Sequence, residues 1–153
     1  MNYKNECLQI IPMTIDHITF YNEVRNECRQ FLHNPQEFSL EDSIKWFKET
    51  SPEFYIVQSE EHNIGYFRTS IIQDKLFIGL DIHKDYRGKG LATGLYEQFF
   101  IFLKEKKQVS EVYLMVKKFN YRAINLYLKL GFVQSFEHSL CSDNDSFLFK
   151  KNI

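Results

Sequence analysis

An α/β fold, with a mixed, mostly antiparallel central sheet flanked by about four helices, is what this chain predicts on three observations. Strand-like and helix-like segments alternate along 153 residues without a linker or internal repeat. Three successive strand-like runs are joined by connections too short to hold a helix, so they form an antiparallel meander. Two later segments carry apolar residues at helical spacing and have their own start and stop signals.

Taken in order, Leu8 to Met13 reads as a short first strand. Asp16 to Phe31 reads as a helix capped by Thr14 or Asp16. Ser39 caps a second helix running to Lys48, with Glu41 and Asp42 in the first turn where the helix dipole favours them. Phe54 to Ser59, Ile64 to Ile71 and Leu76 to Ile82 are the meander, connected through Glu60-Glu61-His62-Asn63 and Gln73-Asp74-Lys75. Leu91 to Lys106 is a long helix with Leu91, Leu95, Phe99 and Phe102 on one face. Val112 to Val116 is a buried strand. A helix follows with Asn120 as N-cap, apolar positions Ala123, Leu126, Tyr127 and Leu130, and Gly131 as terminator. Phe132 to Glu137 and Phe147 to Lys150 close the chain as a hairpin around Ser142-Asp143-Asn144-Asp145.

Composition sets the bounds. The length is that of one domain, 1–153, and 44% hydrophobic residues with 15 Phe and 9 Tyr supply a sizeable core. Nineteen basic and 20 acidic residues are spread along the chain, so no basic stripe points to nucleic acid. Cys7, Cys28 and Cys141 are scattered and odd in number, which argues against a disulfide framework or a metal site and for a reducing compartment. Met1 to Glu6 is no signal peptide, and the most apolar run, Phe99 to Leu103, is too short to cross a bilayer. The expectation is a cytoplasmic protein without membrane partners, monomeric or homodimeric.

Leu80 to Ala92 is the most informative stretch: a β-like run breaks at His83 into a basic turn, Arg87-Gly88-Lys89-Gly90, that opens the helix at Leu91. The N–H groups of such a turn and of the first helical turn lack intrahelical acceptors, and the helix dipole favours an anion there. Side chains at Gly88 and Gly90 would hold a phosphate off the backbone. A Walker loop does not fit, and a G-x-G-x-x-G fingerprint fails because Thr93 stands where its third glycine belongs.

Arg87-Gly88-Lys89-Gly90-Leu91-Ala92 resembles the Q/R-x-x-G-x-G/A motif of the GCN5-related N-acetyltransferases. About 30 residues on, Asn120 to Phe132 resembles that family's N-x-x-A-x-x-L-Y-x-x-x-G-F segment, so the resemblance covers nearly the whole chain. It implies acetyl-CoA as acyl-donor co-substrate, its pyrophosphate on Arg87 to Ala92 and a further contact at Asn120. It also implies direct transfer to a primary amine of a small molecule.

Amine attack on a thioester needs a proton acceptor, a donor to the developing oxyanion and an acid for the thiolate. The resemblance places the oxyanion donor in the Leu80 to Ile82 backbone and the acid at Tyr127, which also suits the core by spacing. Many relatives carry a Glu on the strand before the turn, but Leu76-Phe77-Ile78-Gly79-Leu80 has no acid. Asp81 and His83 are the nearest titratable groups and equal candidates for the base, Asp81 being taken as the site residue, with a water chain to bulk solvent preferred to either. Lys84 stands where relatives often have Pro.

Acceptor choice falls to the N-terminal third. Val24 to Phe31 and Phe38 to Ser43, with Trp46 and Phe47, resemble the branch acting on nucleotide-linked amino sugars and, more loosely, the ribosomal-protein branch. Arg25 and Arg29, one turn apart, would hold an anionic acceptor or, equally, pair with Glu23, Glu27 or nearby acids on a solvated face. Trp46 and Phe47 read as core, where one could stack on a sugar or base. The alternatives are acetylation of a protein N-terminus and a non-catalytic acyl-CoA-binding module.

Overall fold

The computed structural model describes residues 8–141 and 143–153; Cys7, and Ser142 of the expected last turn, lie outside them. Seven strands, β1 (Leu8–Pro12), β2 (Tyr55–Ser59), β3 (His62–Ile72), β4 (Lys75–Ile82), β5 (Glu111–Lys117), β6 (Val133–Ser135) and β7 (Ser146–Asn152), form one sheet in the order β1-β2-β3-β4-β5-β7-β6. Four helices accompany them: α1 (Ile18–Cys28), α2 (Leu40–Thr50), α3 (Ala92–Lys107) and α4 (Tyr121–Lys129). Within the expected span the chain forms two compact units, residues up to Thr69 with Gly79–Leu91, and Ser70–Ile78 with Ala92–Ile153. The β3–β4 hairpin crosses twice between them, turning at Gln73 and Asp74, whose φ values of 50° and 64° suit the right-handed twist of a two-residue hairpin.

In the first unit β1 pairs antiparallel with β2, from Leu8↔Ser59 to Pro12↔Tyr55. The helix expected over Asp16 to Phe31 is three pieces: α1 is entered through a 3-10 turn at Ile15–His17 and left through another at Arg29–Phe31. Thr14 caps the first turn by accepting the Asp16 N–H, and its own N–H goes to His17 Nδ1 at 2.9 Å. Ser39 starts α2 with a reciprocal box, Asp42 N–H to Ser39 Oγ and Ser39 N–H to Asp42 Oδ2, each 3.1 Å. The core joins Met13, Ile18, Tyr21, Val24, Ile56 and Tyr66. Trp46 stacks on Tyr21 with ring centroids 4.7 Å apart, and Phe47 packs on the same core.

In the second unit Phe77 of β4 is in parallel register with Tyr113 of β5. The closing hairpin forms, but β7 lies between β5 and β6. It pairs with β5 along its whole length, Glu111↔Asn152 to Lys117↔Ser146, and with β6 only from Val133↔Lys150 to Ser135↔Leu148. The longer ladder takes the inner place. Lys117 Nζ, 2.7 Å from Asp143 Oδ2, ties β5 to the turn before β7 and holds that carboxyl well below its ordinary range. Leu95, Tyr96, Phe99 and Leu103 bury one face of α3. No helix among the described residues is long and apolar enough to cross a membrane.

Candidate active site

His83, immediately after β4, donates its N–H to Ile64 O of β3 at 2.8 Å. Strand groups alternate, so the N–H and C=O of Leu80 and Ile82 turn away from β3. Arg87 shows that direction: its Nε–H reaches Ile82 O at 2.8 Å, while Nη2 donates to Cys28 Sγ at 3.0 Å. The Arg87 side chain therefore ties the turn to β4 and α1, and the expected contact rests on the main chain of the turn. Gly88 and Gly90 have φ of 72° and 74°, a region unfavourable to side chains. Residues 87 to 90 are exposed, and no main-chain acceptor among the described residues takes the N–H of Gly88, Lys89, Gly90 or Leu91. With α3 starting at Ala92, these main-chain N–H groups precede a helix N-terminus, where an anion is favoured.

Asp81, the expected base, points into the first unit and is 5% exposed. Arg68 Nε stands 3.0 Å from its Oδ2. Gly79 makes room for this pair, because a β-carbon there would collide with the Arg68 guanidinium. The ion contact is not an aligned hydrogen bond, and Asp81 Oδ2 and the Tyr66 hydroxyl are buried without a hydrogen-bond partner among the described residues. Asp81 is thus buried against the Arg68 guanidinium and anchors this group within the first unit, a correction to its expected role as base. Burial, with the Asp81 charge adding to it, pushes the Tyr21 hydroxyl up to about 12 and the Cys28 thiol up to about 11, and raises Tyr66 well above the ordinary phenol range. All three stay protonated at neutral pH. Cys28 is thus no thiolate nucleophile.

His83, the alternative base, is fixed on both nitrogens. Nδ1 accepts the Asp85 N–H at 3.1 Å, which puts the proton of the neutral ring on Nε2. Nε2 lies 3.2 Å from Glu23 Oε1 and 3.9 Å from Glu27 Oε1. Phe20 stacks on the ring with centroids 6.1 Å apart. The ring directs its Nε2 proton to Glu23 and has no lone pair to offer a substrate. Glu23 and Glu27 went unnoticed as site residues, their signal being only an i, i+4 acidic pair on a helix.

Arg25 and Arg29 do not form the expected pair. Arg29 is exposed in the turn after α1, whereas Arg25 is 4% exposed. Its guanidinium donates to Gln36 O and, at 2.9 Å, to Asn34 O, and lies 3.7 Å over the Phe38 ring. Arg25 is therefore corrected from acceptor ligand to the residue that folds the α1–α2 connection. Arg25→Ala would orphan two carbonyls and should cost about 3 kcal/mol, since hydrogen bonds to charged groups contribute about 1.5–3 kcal/mol each. Thermal unfolding should fall by roughly 6–12 °C for a chain of this size while the acceptor KM stays put. A tenfold higher KM at unchanged melting temperature would restore the acceptor role.

In the second unit Asn120 Oδ1 accepts the Ala123 N–H at 3.3 Å, the cap expected of α4. Tyr127 is half-buried, edge-on to Tyr96 and Phe132 with centroids 5.8 Å away in each case. Its hydroxyl meets that of Tyr96 at 3.4 Å. Sequence spacing gave no hint of this second phenol.

A profile of the Acetyltransferase (GNAT) family matches residues 18–132, which include α1, the β4 turn and α4. The chain is 26% identical over 129 residues to an N-alpha-acetyltransferase of Sulfurisphaera tokodaii, covering 74% of this chain and 77% of that protein. A counterpart from Sulfolobus acidocaldarius is 24% identical over the same shares. Among solved structures, spermidine N-acetyltransferase from Vibrio cholerae in complex with CoA and spermine superposes with a TM-score of 0.77 at 17% identity, covering 95% of this chain and 94% of that one. Ribosomal-protein-alanine N-acetyltransferase from Brucella melitensis gives 0.75 at 15% identity, over 95% and 99%. The family profile spans most of the chain and the fold agrees with it: the chain belongs to the GNAT acetyltransferases, enzymes that draw their acetyl group from acetyl-CoA.

Proposed function

We propose that this protein transfers acetyl directly from acetyl-CoA to the primary amine of a cationic acceptor, with the α-amine of a peptide or protein N-terminus as the acceptor class. The observation that carries the acceptor charge is the lining at the end of β4, where Glu23, Glu27 and Asp85 surround His83. Such a lining attracts an ammonium and repels a phosphate. The nucleotide-linked amino sugar loses its support with Arg25. The N-alpha-acetyltransferase relatives favour a peptide amine over a polyamine.

Acetyl-CoA supplies the activated acyl group. The turn from Arg87 to Ala92 would hold its pyrophosphate through main-chain N–H groups, with Lys89 and Lys84 adding positive charge and Asn120 a further contact. The Leu80 or Ile82 N–H would donate to the oxygen that gains charge, and Tyr127 would protonate the sulfur. The protonated, buried Cys28 supports direct transfer over an acyl-enzyme.

Release of CoA measured with a Ser-initiated peptide, spermidine and a nucleotide-linked amino sugar tests this. Turnover should rank peptide first and sugar nucleotide last. A preference for the sugar nucleotide would overturn the acceptor charge, and cofactor binding without turnover on any amine would make the chain an acyl-CoA-binding module.

A further inference from the structure

Glu27 sits on α1 one turn after Glu23, its side chain 17% exposed. Both of its carboxylate oxygens are buried, and neither has a hydrogen-bond partner among the described residues. A carboxylate withdrawn from water without donors is costly unless a cation meets it.

The cations nearby are committed elsewhere. Arg87 serves Ile82 O and Cys28 Sγ, and Arg68 faces Asp81. His83 stands 3.9 Å from Glu27, too far for a hydrogen bond, and directs its Nε2 proton to Glu23. Carboxylate oxygens of Glu23 and Glu27 and a ring nitrogen of His83 lie within 4.8 Å of one another, a spacing that a divalent ion could bridge. The ring is wrongly protonated for that purpose, because a ligating Nε2 requires Nδ1 to donate, and here Nδ1 accepts the Asp85 N–H. An ammonium suits the site instead, as it brings its own donors and needs no lone pair from His83.

We propose that Glu27 binds the acceptor's ammonium and takes the proton that must leave it before transfer. The inference rests on the N-acetyl transfer proposed above. The ammonium gives one proton to the Glu27 carboxylate, and the freed lone pair forms the C–N bond as the thioester C–S bond breaks. The second proton lost from nitrogen is balanced by the one gained at sulfur, and Glu27 passes its own to solvent. Glu23, held by His83, keeps negative charge beside the ammonium without entering the transfer.

Glu27→Gln keeps the size of the side chain and removes the charge. With spermidine and a Ser-initiated peptide as probes, it should lower kcat/KM for the amine at least tenfold and leave the KM for acetyl-CoA unchanged. Glu27→Asp, which keeps the charge on a shorter arm, should recover part of the loss. Wild-type kcat/KM in a Glu27→Gln protein that still binds acetyl-CoA overturns this assignment alone. A wild-type protein that binds acetyl-CoA and acetylates neither probe overturns the transfer reading and this assignment with it. Should Glu27→Gln lose acetyl-CoA binding through misfolding, Glu27→Asp decides: unchanged amine kinetics overturn the role, and a selective fall in amine kcat/KM supports it.

Discussion

Replacing Gly90 with Val should weaken acetyl-CoA binding about a hundredfold or more, the loss expected when two charge-assisted hydrogen bonds of about 1.5 kcal/mol each are given up. The backbone at Gly90 has φ of 74°, which a β-branched residue reaches only with strain. Relief of that strain turns the peptide units on either side and redirects the main-chain N–H groups of the native turn. Even without relief, the added methyl groups stand where phosphate oxygens must approach. Fold and cradle are separable here, because Gly90 is exposed and lies outside α3, before the buried Leu91. The variant should therefore melt within a few degrees of wild type. Calorimetric titration with acetyl-CoA reads the effect, and unchanged affinity in a folded Gly90→Val protein would remove the turn from cofactor binding. Lys89→Ala is the contrasting change: it deletes one exposed charge and leaves the amides in place, so its loss should be smaller and fade with added salt.

Local signals were legible wherever one residue type has one physical task. The Ser39–Asp42 box, the Asn120 cap and the glycine turn at 88 and 90 stand where the sequence puts them. Side-chain destinations were less legible, since spacing says which residues share a face but not what that face meets. Arg25 and Arg29 are one turn apart, yet the α1–α2 connection folds back and offers its carbonyls to Arg25 alone. Asp81 looked available at a strand end because nothing local announces Arg68, thirteen positions earlier and brought alongside by the β3–β4 hairpin. His83 looked like an unattached ring at the strand end, whereas its Nδ1 accepts the Asp85 N–H. The place of β7 was equally hidden, for hairpin logic pairs it with β6 and says nothing about its other edge. These misses share a cause: the partner is distant in sequence or is a backbone group.

Tyr127→Phe should lower kcat about a hundredfold, roughly 2.7 kcal/mol of transition-state stabilisation, while the KM for acetyl-CoA changes little. The substitution is sharp because the ring does a separate job. It packs against Tyr96, Phe132 and Phe149, contacts that Phe reproduces, so stability should move by about 1 kcal/mol or less, the worth of one hydroxyl hydrogen bond. What disappears is the hydroxyl that meets Tyr96 Oη at 3.4 Å. A thiolate leaving without a proton is a poor outcome for the forward reaction, and a positioned phenol lowers that barrier in the way general acids do, by about 10²–10⁴-fold. Tyr96→Phe completes the comparison. If Tyr96 only orients the Tyr127 hydroxyl, its loss should cost a few-fold in kcat and the double variant should be no worse than Tyr127→Phe alone, because one proton path has already been cut. Near-normal turnover by Tyr127→Phe would return this residue to the aromatic core and leave solvent to protonate the sulfur.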